Sequence, residues 1–164
     1  MKLSKRSAYI SIVIILTIAV DQISKIIVRK HINPNEVISV IGKYFSLHNV
    51  ENTGAFLGMG SDLNPTLRIV LLLILPIAVL GFVLRYVLKD KTLDNWSIFA
   101  FSSIIGGGIA NVFDRIAYGS VTDFFYIKLT DLLRTGIFNM ADLSVTTGMI
   151  ILVIVSFRKK KNIK

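Results

Sequence analysis

Residues 138–157, FNMADLSVTTGMIILVIVSF, decide the fold class of this chain. From Ala141 onward the stretch is long and apolar enough to cross a hydrocarbon core of about 30 Å as a helix, which needs roughly 20 residues. Its one acidic residue, Asp142, stands at the mouth of the apolar run. An ionised group at the centre of a bilayer costs roughly 2.5–3.5 kcal/mol or more, so we expect Asp142 to have a partner or a function.

Working outward from this span, about 141–157, three further apolar runs occupy about 8–28, 67–88 and 96–116. The second run is interrupted by Pro76, and the third carries GGGIANVFDR in its second half. Helix breakers and polar groups at membrane depth are tolerated where they face protein or water, so we expect that half-span in the interior. The sequence therefore predicts an α-helical membrane protein, with four transmembrane helices in a single domain, 1–164.

The composition is that of a membrane protein rather than a soluble one. Of 164 residues, 53% are hydrophobic and 18% are charged, whereas a soluble domain carries about 25% charged residues. The absence of Cys excludes disulfides and thiolate metal sites. The N-terminal run resembles a signal peptide, but no small-residue cleavage site precedes DQISK, so we expect it to remain as the first span.

The basic residues predict the orientation of the spans. Eleven of the 19 Lys and Arg residues precede the first span, lie at the end of the second span or between it and the third, or follow the fourth, together with two of the ten acidic residues. The formal net charge of +9 therefore sits on one side, which the positive-inside rule assigns to the cytoplasm. We expect both termini there, and the charge calls for no nucleic-acid partner.

Two connections, about 29–66 and 117–140, then lie on the extracytoplasmic side. VISVIGKYFSLHNV in the first and GSVTDFFYIKL in the second are rich in β-branched and aromatic residues, which favours strands. We expect a small extracytoplasmic β-sheet resting on the bundle. The glycines of NTGAFLGMG predict a mobile loop beside it, as in a lid.

Polar residues gather at the outward ends of the spans and could form one cluster there. Some have a purely structural interpretation: Asp21 and Lys25 are spaced as an i,i+4 ion pair, and Asn111 suits a bridge between helices. Gly106, Gly107 and Gly108 suit close helix packing better than a phosphate cradle, because no P-loop Lys follows them. The members of the cluster are Asp21, Lys25, Asn52, Asn111, Asp114, Arg115, Asp123 and Asp142.

The remaining polar groups leave several interpretations open. Asp114 beside Arg115 has two interpretations, a buried pair and a helix-end feature. His31 and His48 lack metal-ligand spacing, so no metal and no cofactor is expected.

Asp123 and Asp142 are the candidates for chemistry. Asp123 is flanked by VT and FFY, and Asp142 follows FNMA, so both carboxyl groups stand in apolar surroundings. Two such groups brought close cannot both ionise cheaply, so one keeps its proton while the other acts as a base. Such a pair can hydrolyse an amide without a metal. A proton or ion relay is the main alternative, and the spacing does not show that the two residues meet.

Five motifs follow one another along essentially the whole chain: DQISK (21–25), ENTGAFLG (51–58), GGGIANVFDRI (106–116), GSVTDFFYI (119–127) and FNMADLSV (138–145). In this order they resemble lipoprotein signal peptidase (signal peptidase II), a family of bacterial membrane aspartic proteases. A single motif such as NTGAF would be weak, but five in order on a four-span chain are specific.

The resemblance implies that Asp123 and Asp142 are the catalytic pair of an aspartic endopeptidase. It implies cleavage of prolipoproteins on the N-terminal side of a diacylglyceryl-modified cysteine, in the bacterial inner membrane, with the active site on the extracytoplasmic face. A monomer among membrane lipids is expected. The residues it implies as site-shaping or substrate-binding are Asp21, Lys25, Asn52, Gly54, Gly108, Asn111, Asp114, Arg115 and Asn139.

Two functions of other classes compete with the peptidase. A small proton- or cation-coupled transporter would use Asp21, Asp114 and Asp142 as a relay, but it predicts carboxylates at the midplane, and no inverted repeat is visible. A non-catalytic membrane assembly factor would leave the outward polar cluster unexplained.

Overall fold

The computed structural model of the chain describes residues 4–55 and 58–161. Within these residues, four helices are long and apolar enough to cross a membrane. They are α1 (Lys5–His31), α2 (Pro65–Lys89), α3 (Asn95–Tyr118) and α4 (Met140–Lys161). The predicted four-helix membrane fold is confirmed, and each helix extends slightly beyond its apolar run.

Polar residues outside the apolar runs set where the helices begin and end. Ser4, Asn64 and Asp94 each accept a hydrogen bond from the backbone N–H three residues later, at 3.1, 2.9 and 2.8 Å. These N-caps satisfy N–H groups that have no partner within the helix. At the other end of α3, Gly119 adopts φ 77°, a left-handed conformation that glycine takes without strain.

Pro76 does not break the second span. Proline has no N–H, and its ring crowds the carbonyl four residues earlier, which here belongs to Leu72. The turn before it, Val70–Ile74, is π-helical. Such a wider turn inside an α-helix accommodates a local mismatch, so the chain continues as one helix to Lys89.

The triple glycine makes α3 the centre of the bundle. A Cβ added at any of the three positions would lie within 2.7 Å of an atom of another helix, and each position faces a different one. At Gly106 and Gly107 backbone oxygen atoms lie within 3.0 Å of the added Cβ, so the close approach requires glycine, whereas Gly108 meets the end of a flexible side chain. The packing interpretation is thereby confirmed. The atoms met are Cβ of Thr17 on α1 for Gly106, the carbonyl oxygen of Ala141 on α4 for Gly107, and Cδ2 of Leu80 on α2 for Gly108.

Three strands form one antiparallel sheet in the order β1 (Val37–Ile41), β2 (Phe45–Asn52), β3 (Val121–Ile127). Because β1 and β2 connect α1 to α2 while β3 connects α3 to α4, all three connect the same ends of the bundle. We call this end the sheet side. The predicted small sheet formed from both connections is thereby confirmed.

The sheet is fastened to the bundle at two places. Phe124 on β3 is 1% exposed and packs against Val28 and Ile32 at the end of α1. The backbone of Phe138, just before α4, exchanges hydrogen bonds with Phe125: N–H to carbonyl at 3.0 Å one way and 2.8 Å the other. The first turn of α4 is consequently held against β3.

Candidate active site

Asp142 is held by a reciprocal capping box at the start of α4. The Oδ1 atom of Asn139 accepts from the backbone N–H of Asp142 at 2.9 Å, and Oδ2 of Asp142 accepts from the backbone N–H of Asn139 at 3.2 Å. The backbone N–H of Ala141 donates to Oδ1 of Asp21 at 2.8 Å. N–H groups without helical partners thus explain why a carboxylate is tolerated at the mouth of this span.

Asp123 lies on β3 and is only 3% exposed. It pairs in register with Val50, so Asn52, two residues further on the same face of β2, is its diagonal neighbour. The Nδ2 atom of Asn52 donates to Oδ2 of Asp123 at 2.9 Å. Burial, and to a lesser degree the nearby charge of Asp142, raises the pKa of Asp123 to about 6, although the hydrogen bond from Asn52 opposes the rise.

The side chain of Asn139 contacts both aspartates, one through its carboxylate and the other through its backbone. Its Nδ2 donates to Oδ1 of Asp123 at 2.6 Å, while its Oδ1 caps the helix turn that carries Asp142. The side chain is fully buried, so water does not replace these contacts. The structure thus brings Asp123 and Asp142, from a strand and a helix, to opposite ends of one amide.

Lys25 orients a second amide toward Asp142. Its ammonium donates to Oδ1 of Asn111 at 2.9 Å, and Nδ2 of Asn111 donates to Oδ1 of Asp142 at 2.9 Å. Because an ammonium has no acceptor, the Oδ1 atom of Asn111 must face it, which leaves the NH₂ group for the carboxylate. The Nδ2 atom of Asn139 also donates to this Oδ1, at 3.2 Å.

Lys25 is fully buried between two carboxylates. Its Nζ lies 2.7 Å from Oδ2 of Asp21 and 2.8 Å from Oδ2 of Asp114, and neither carboxylate is exposed. The i,i+4 ion pair between Asp21 and Lys25, one interpretation of their spacing, is present. Asp114 does not pair with its neighbour Arg115, because consecutive side chains of a helix point about 100° apart. Within the described residues Asp114 forms ion pairs with Lys25 and Arg29 instead.

Arg115 instead holds the loop that follows β2. Its Nη2 donates to the carbonyl oxygen of Gly54 at 2.8 Å and its Nη1 to that of Asn111 at 3.3 Å. A Cβ at Gly54 would lie 2.6 Å from the carbonyl oxygen of Gly58, so this position requires glycine. Residues 56 and 57 of ENTGAFLG lie outside the described residues, and the mobility expected of this loop stays a prediction.

Clefts reach both carboxyl groups. Asp123 lines a cleft of ≈ 340 Å³ together with Asn52 and Gly136, and Asp142 lines a mainly apolar cleft of ≈ 200 Å³ that also borders Gly136. Arg115 lines a third cleft, of ≈ 280 Å³. A chain lying across Gly136 therefore has access to both carboxyl groups.

Several polar residues of this region escaped the sequence analysis. The Nε of Arg29 donates to Oγ1 of Thr122 at 2.7 Å, and the same hydroxyl donates to Oε1 of Glu51 at 2.7 Å. The Nε2 of Gln22 donates to Oδ1 of Asp114 at 2.9 Å. One signal existed for Arg29, because it stands four residues after Lys25 and so continues the helix face of Asp21 and Lys25.

Two further sequence expectations concern single residues and metals. Gly108 takes no part in the polar network, because it faces Leu80 on α2. Among the residues that the structure describes, no group of three or more His, Cys, Asp and Glu side chains could hold a metal ion.

Comparison with known proteins gives one consistent result. The family model described as signal peptidase (SPase) II matches residues 13–158. The lipoprotein signal peptidase of Moorella thermoacetica is 34% identical over 138 residues, 84% of this chain and 85% of the relative. That of Thermodesulfovibrio yellowstonii is 34% identical over 149 residues, 91% and 95% of the two chains.

The fold has solved counterparts. A structure described as a bacterial membrane enzyme superposes with a TM-score of 0.83 at 24% identity, covering 96% of this chain and 92% of its own. A second such enzyme superposes with a TM-score of 0.78, covering 90% and 92%. At this identity the likeness shows the fold of four helices and a small sheet.

Proposed function

The chain belongs to the signal peptidase II family, and from this premise we propose that Asp123 and Asp142 are the catalytic pair of an aspartic endopeptidase that removes signal peptides from lipoprotein precursors. The observation that carries the proposal is the position of Asn139, whose side chain bonds the carboxylate of Asp123 and the backbone of Asp142. Asp123 and Asp142 line two clefts that both border Gly136.

The chemistry needs one protonated and one ionised carboxyl group. The pKa of Asp123 is raised to about 6, which is close to neutral pH, and the charge of Asp142 contributes to that rise. The pair therefore favours a state with a single shared proton. The ionised member takes a proton from water as the water oxygen bonds to the scissile carbonyl carbon, and the protonated member donates its proton to the carbonyl oxygen. The C–N bond then breaks as the amine receives the proton taken from water, while the other carboxylate takes a proton back from a hydroxyl of the tetrahedral intermediate.

The amides around the pair act as positioning groups. Asn111, oriented by Lys25, donates to Asp142, and Asn139 donates to Asp123, so each carboxyl group is held in one orientation. Precise placement of this kind accounts for much of enzymatic rate enhancement. Arg115 has a buried Nε without a hydrogen-bond partner among the described residues, and we assign it the backbone carbonyl of the substrate.

The two clefts suit a substrate that is part peptide and part lipid. The cleft at Asp123 has Asn52 and Glu51 on its wall and takes the polypeptide, whereas the cleft at Asp142 is mainly apolar and borders Leu143 and Thr146 of the α4 span. We therefore assign the diacylglyceryl group of a modified cysteine to the second cleft, with the scissile bond on its N-terminal side. The sheet side is taken as extracytoplasmic from the charge distribution, and the chain acts as a monomer.

The test uses the purified full chain with a diacylglyceryl-modified precursor and its unlipidated twin. Asp123→Asn and Asp142→Asn should each abolish release of the signal peptide, while the matched Asp62→Asn, at an exposed loop residue, should cleave like the parent. The unlipidated twin should stay intact with every enzyme. Near-normal cleavage by either dyad variant would refute the catalytic pair, and equal cleavage of both precursors would refute the lipid assignment.

A proton- or cation-coupled transporter is not favoured. The chain matches a peptidase family along residues 13–158. Asp21 and Asp114, which a relay would use, are both engaged by Lys25 within 2.8 Å in a buried ion network. Carboxylates that are already neutralised by a buried ion pair are poorly suited to release and rebind a proton in each transport cycle.

A further inference from the structure

Two turns of the sheet lie side by side at the end farthest from the α3–β3 junction. The backbone N–H of Lys128 donates to the carbonyl oxygen of Tyr44 at 2.9 Å, and Phe45 pairs in register with Ile127. The turn after β1 and the turn after β3 therefore form one surface, which we call the distal tip. Its residues are Ile41, Lys43, Tyr44, Lys128, Leu129, Leu132, Leu133 and Arg134.

The distal tip presents large apolar side chains outward. Leu132 is 98% exposed, Leu133 61%, Ile41 60% and Leu129 56%. The turn itself is ordered, because the N–H of Leu129 donates to the carbonyl of Leu133 at 2.9 Å and the N–H of Leu133 donates to the hydroxyl of Thr130 at 2.9 Å. Leucines held outward by a hydrogen-bonded turn indicate a surface that meets an apolar partner.

The charge of the distal tip selects the kind of partner. Lys128 and Arg134 flank the leucines of the second turn, and Lys43 stands in the first turn. Asp131 is the acidic residue of the second turn, and it is paired to Lys128 at 2.6 Å. An apolar centre with a basic rim and a tyrosine is the composition of segments that lie in the interface of an anionic bilayer.

The position of the tip places it within reach of that interface. The base of the second turn, at Thr135 and Phe138, lines the same apolar cleft as Leu143 and Thr146 on the first turns of the α4 span. Leu132 is three residues from Thr135 and therefore lies at most roughly 10 Å from it. The polar layer of one leaflet is about 5–7 Å thick, so the tip is close to the lipid that surrounds this end of α4.

We propose that the distal tip inserts its leucines into the sheet-side leaflet of an anionic bilayer and so forms a fifth membrane contact, besides the four helices. The basic rim lies among the headgroups while Leu129, Leu132 and Leu133 lie against acyl chains. This contact ties the segment between Asp123 and Asp142 to the membrane surface. It does not depend on the peptidase activity.

The test follows the depth of an indole in vesicles. Trp96 is the only tryptophan and stands at the start of α3, so Trp96→Phe provides a silent background for Leu132→Trp and, separately, Ile41→Trp. Each full-length variant is reconstituted into phosphatidylethanolamine–phosphatidylglycerol vesicles. Quenching by brominated acyl chains and by iodide in the buffer is compared with that of Trp96 in the parent chain.

We expect brominated lipid to quench both introduced indoles within about twofold of Trp96, and iodide to quench them about fivefold less than free tryptophan amide. Adding Leu129→Ser and Leu133→Ser to Leu132→Trp should weaken quenching by brominated lipid and strengthen quenching by iodide. Replacing Lys43, Lys128 and Arg134 by Gln should weaken bromolipid quenching. Indoles open to iodide and untouched by bromolipid would overturn the proposal, as would shielding from both quenchers, which would indicate a protein partner or a second copy.

Discussion

Replacing Asn139 by Ser separates the two contacts of this side chain. Its Nδ2 donates to Asp123 at 2.6 Å, and its Oδ1 accepts from the backbone of Asp142 at 2.9 Å. Serine is a good N-cap residue, so Asn139→Ser keeps an acceptor for the start of α4 while its shorter side chain no longer reaches Asp123. Asn139→Ala removes both contacts and serves as the matched comparison.

The size of the effect follows from the lost donor. A hydrogen bond to a charged group is worth about 1.5–3 kcal/mol, and one pKa unit corresponds to 1.36 kcal/mol. The bond from Asn139 holds the pKa of Asp123 down, so its loss should raise that pKa from about 6 to about 7–8. Because the pair works with one shared proton, the alkaline limb of kcat/KM should move up by about 1–2 pH units, with a maximal rate about 10- to 100-fold lower.

The assay is cleavage of a lipidated precursor by each purified variant across about pH 4.5 to 9, with thermal unfolding recorded in parallel. Both variants should shift the alkaline limb equally. Asn139→Ala alone should lose a further 0.5–2 kcal/mol or so of unfolding free energy, since it also lacks the cap. An alkaline limb that stays in place in both variants, or moves to lower pH, would show that Asn139 does not set the proton affinity of Asp123.

Three further outcomes are expected. Lys25→Met should lower the free energy of unfolding by about 3–5 kcal/mol in detergent, because two buried carboxylates lose their counter-ion. Adding Asp114→Asn should recover part of this loss, and an equal loss in the single and the double variant would contradict the network. Gly107→Val should lower the melting temperature sharply, because the new side chain clashes with α4, whereas Gly81→Ala should not, because its Cβ meets nothing within 4 Å. Equal melting temperatures for the two variants would disprove the close contact. Asp123 should contribute a fall in stability of about 3 kcal/mol as pH rises from about 4 to 6, since in the folded chain, with a pKa of about 6, it keeps a proton that the unfolded chain releases near 3.8. Asp123→Asn should remove this contribution, measured as the change of the unfolding midpoint with pH.

The spans could be predicted because a bilayer leaves few alternatives. A long apolar run must satisfy its backbone groups internally, and a helix does so. The ends of the helices were harder to predict from the sequence. Ser4, Asn64 and Asp94 extend three helices by capping them, and hydropathy does not detect a cap. Pro76, which interrupts the second apolar run, follows a π-helical turn within one continuous helix.

The sheet was predicted in kind but not in arrangement. Strand-forming composition on both connections indicated the strands, whereas the order β1-β2-β3 and the pairing of Val50 with Asp123 depend on how the connections meet above the bundle. That register decides which residue of β2 lies beside Asp123. Asn52 occupies the place because its face and offset match.

By itself, the sequence determined the membrane class, the number of spans, the asymmetric distribution of charge and two candidate catalytic carboxyl groups, since each depends on local composition. Only the tertiary structure decided the partners. Asn52 and Asp123 are 71 positions apart, and Lys25 and Asn111 are 86 apart. Contacts over such separations form only when helices pack through Gly106–Gly108 and strands pair in register. The aspartate at the mouth of α4 therefore acquires its surroundings from packing, because hydrogen bonds require ångström-scale geometry that no local pattern encodes.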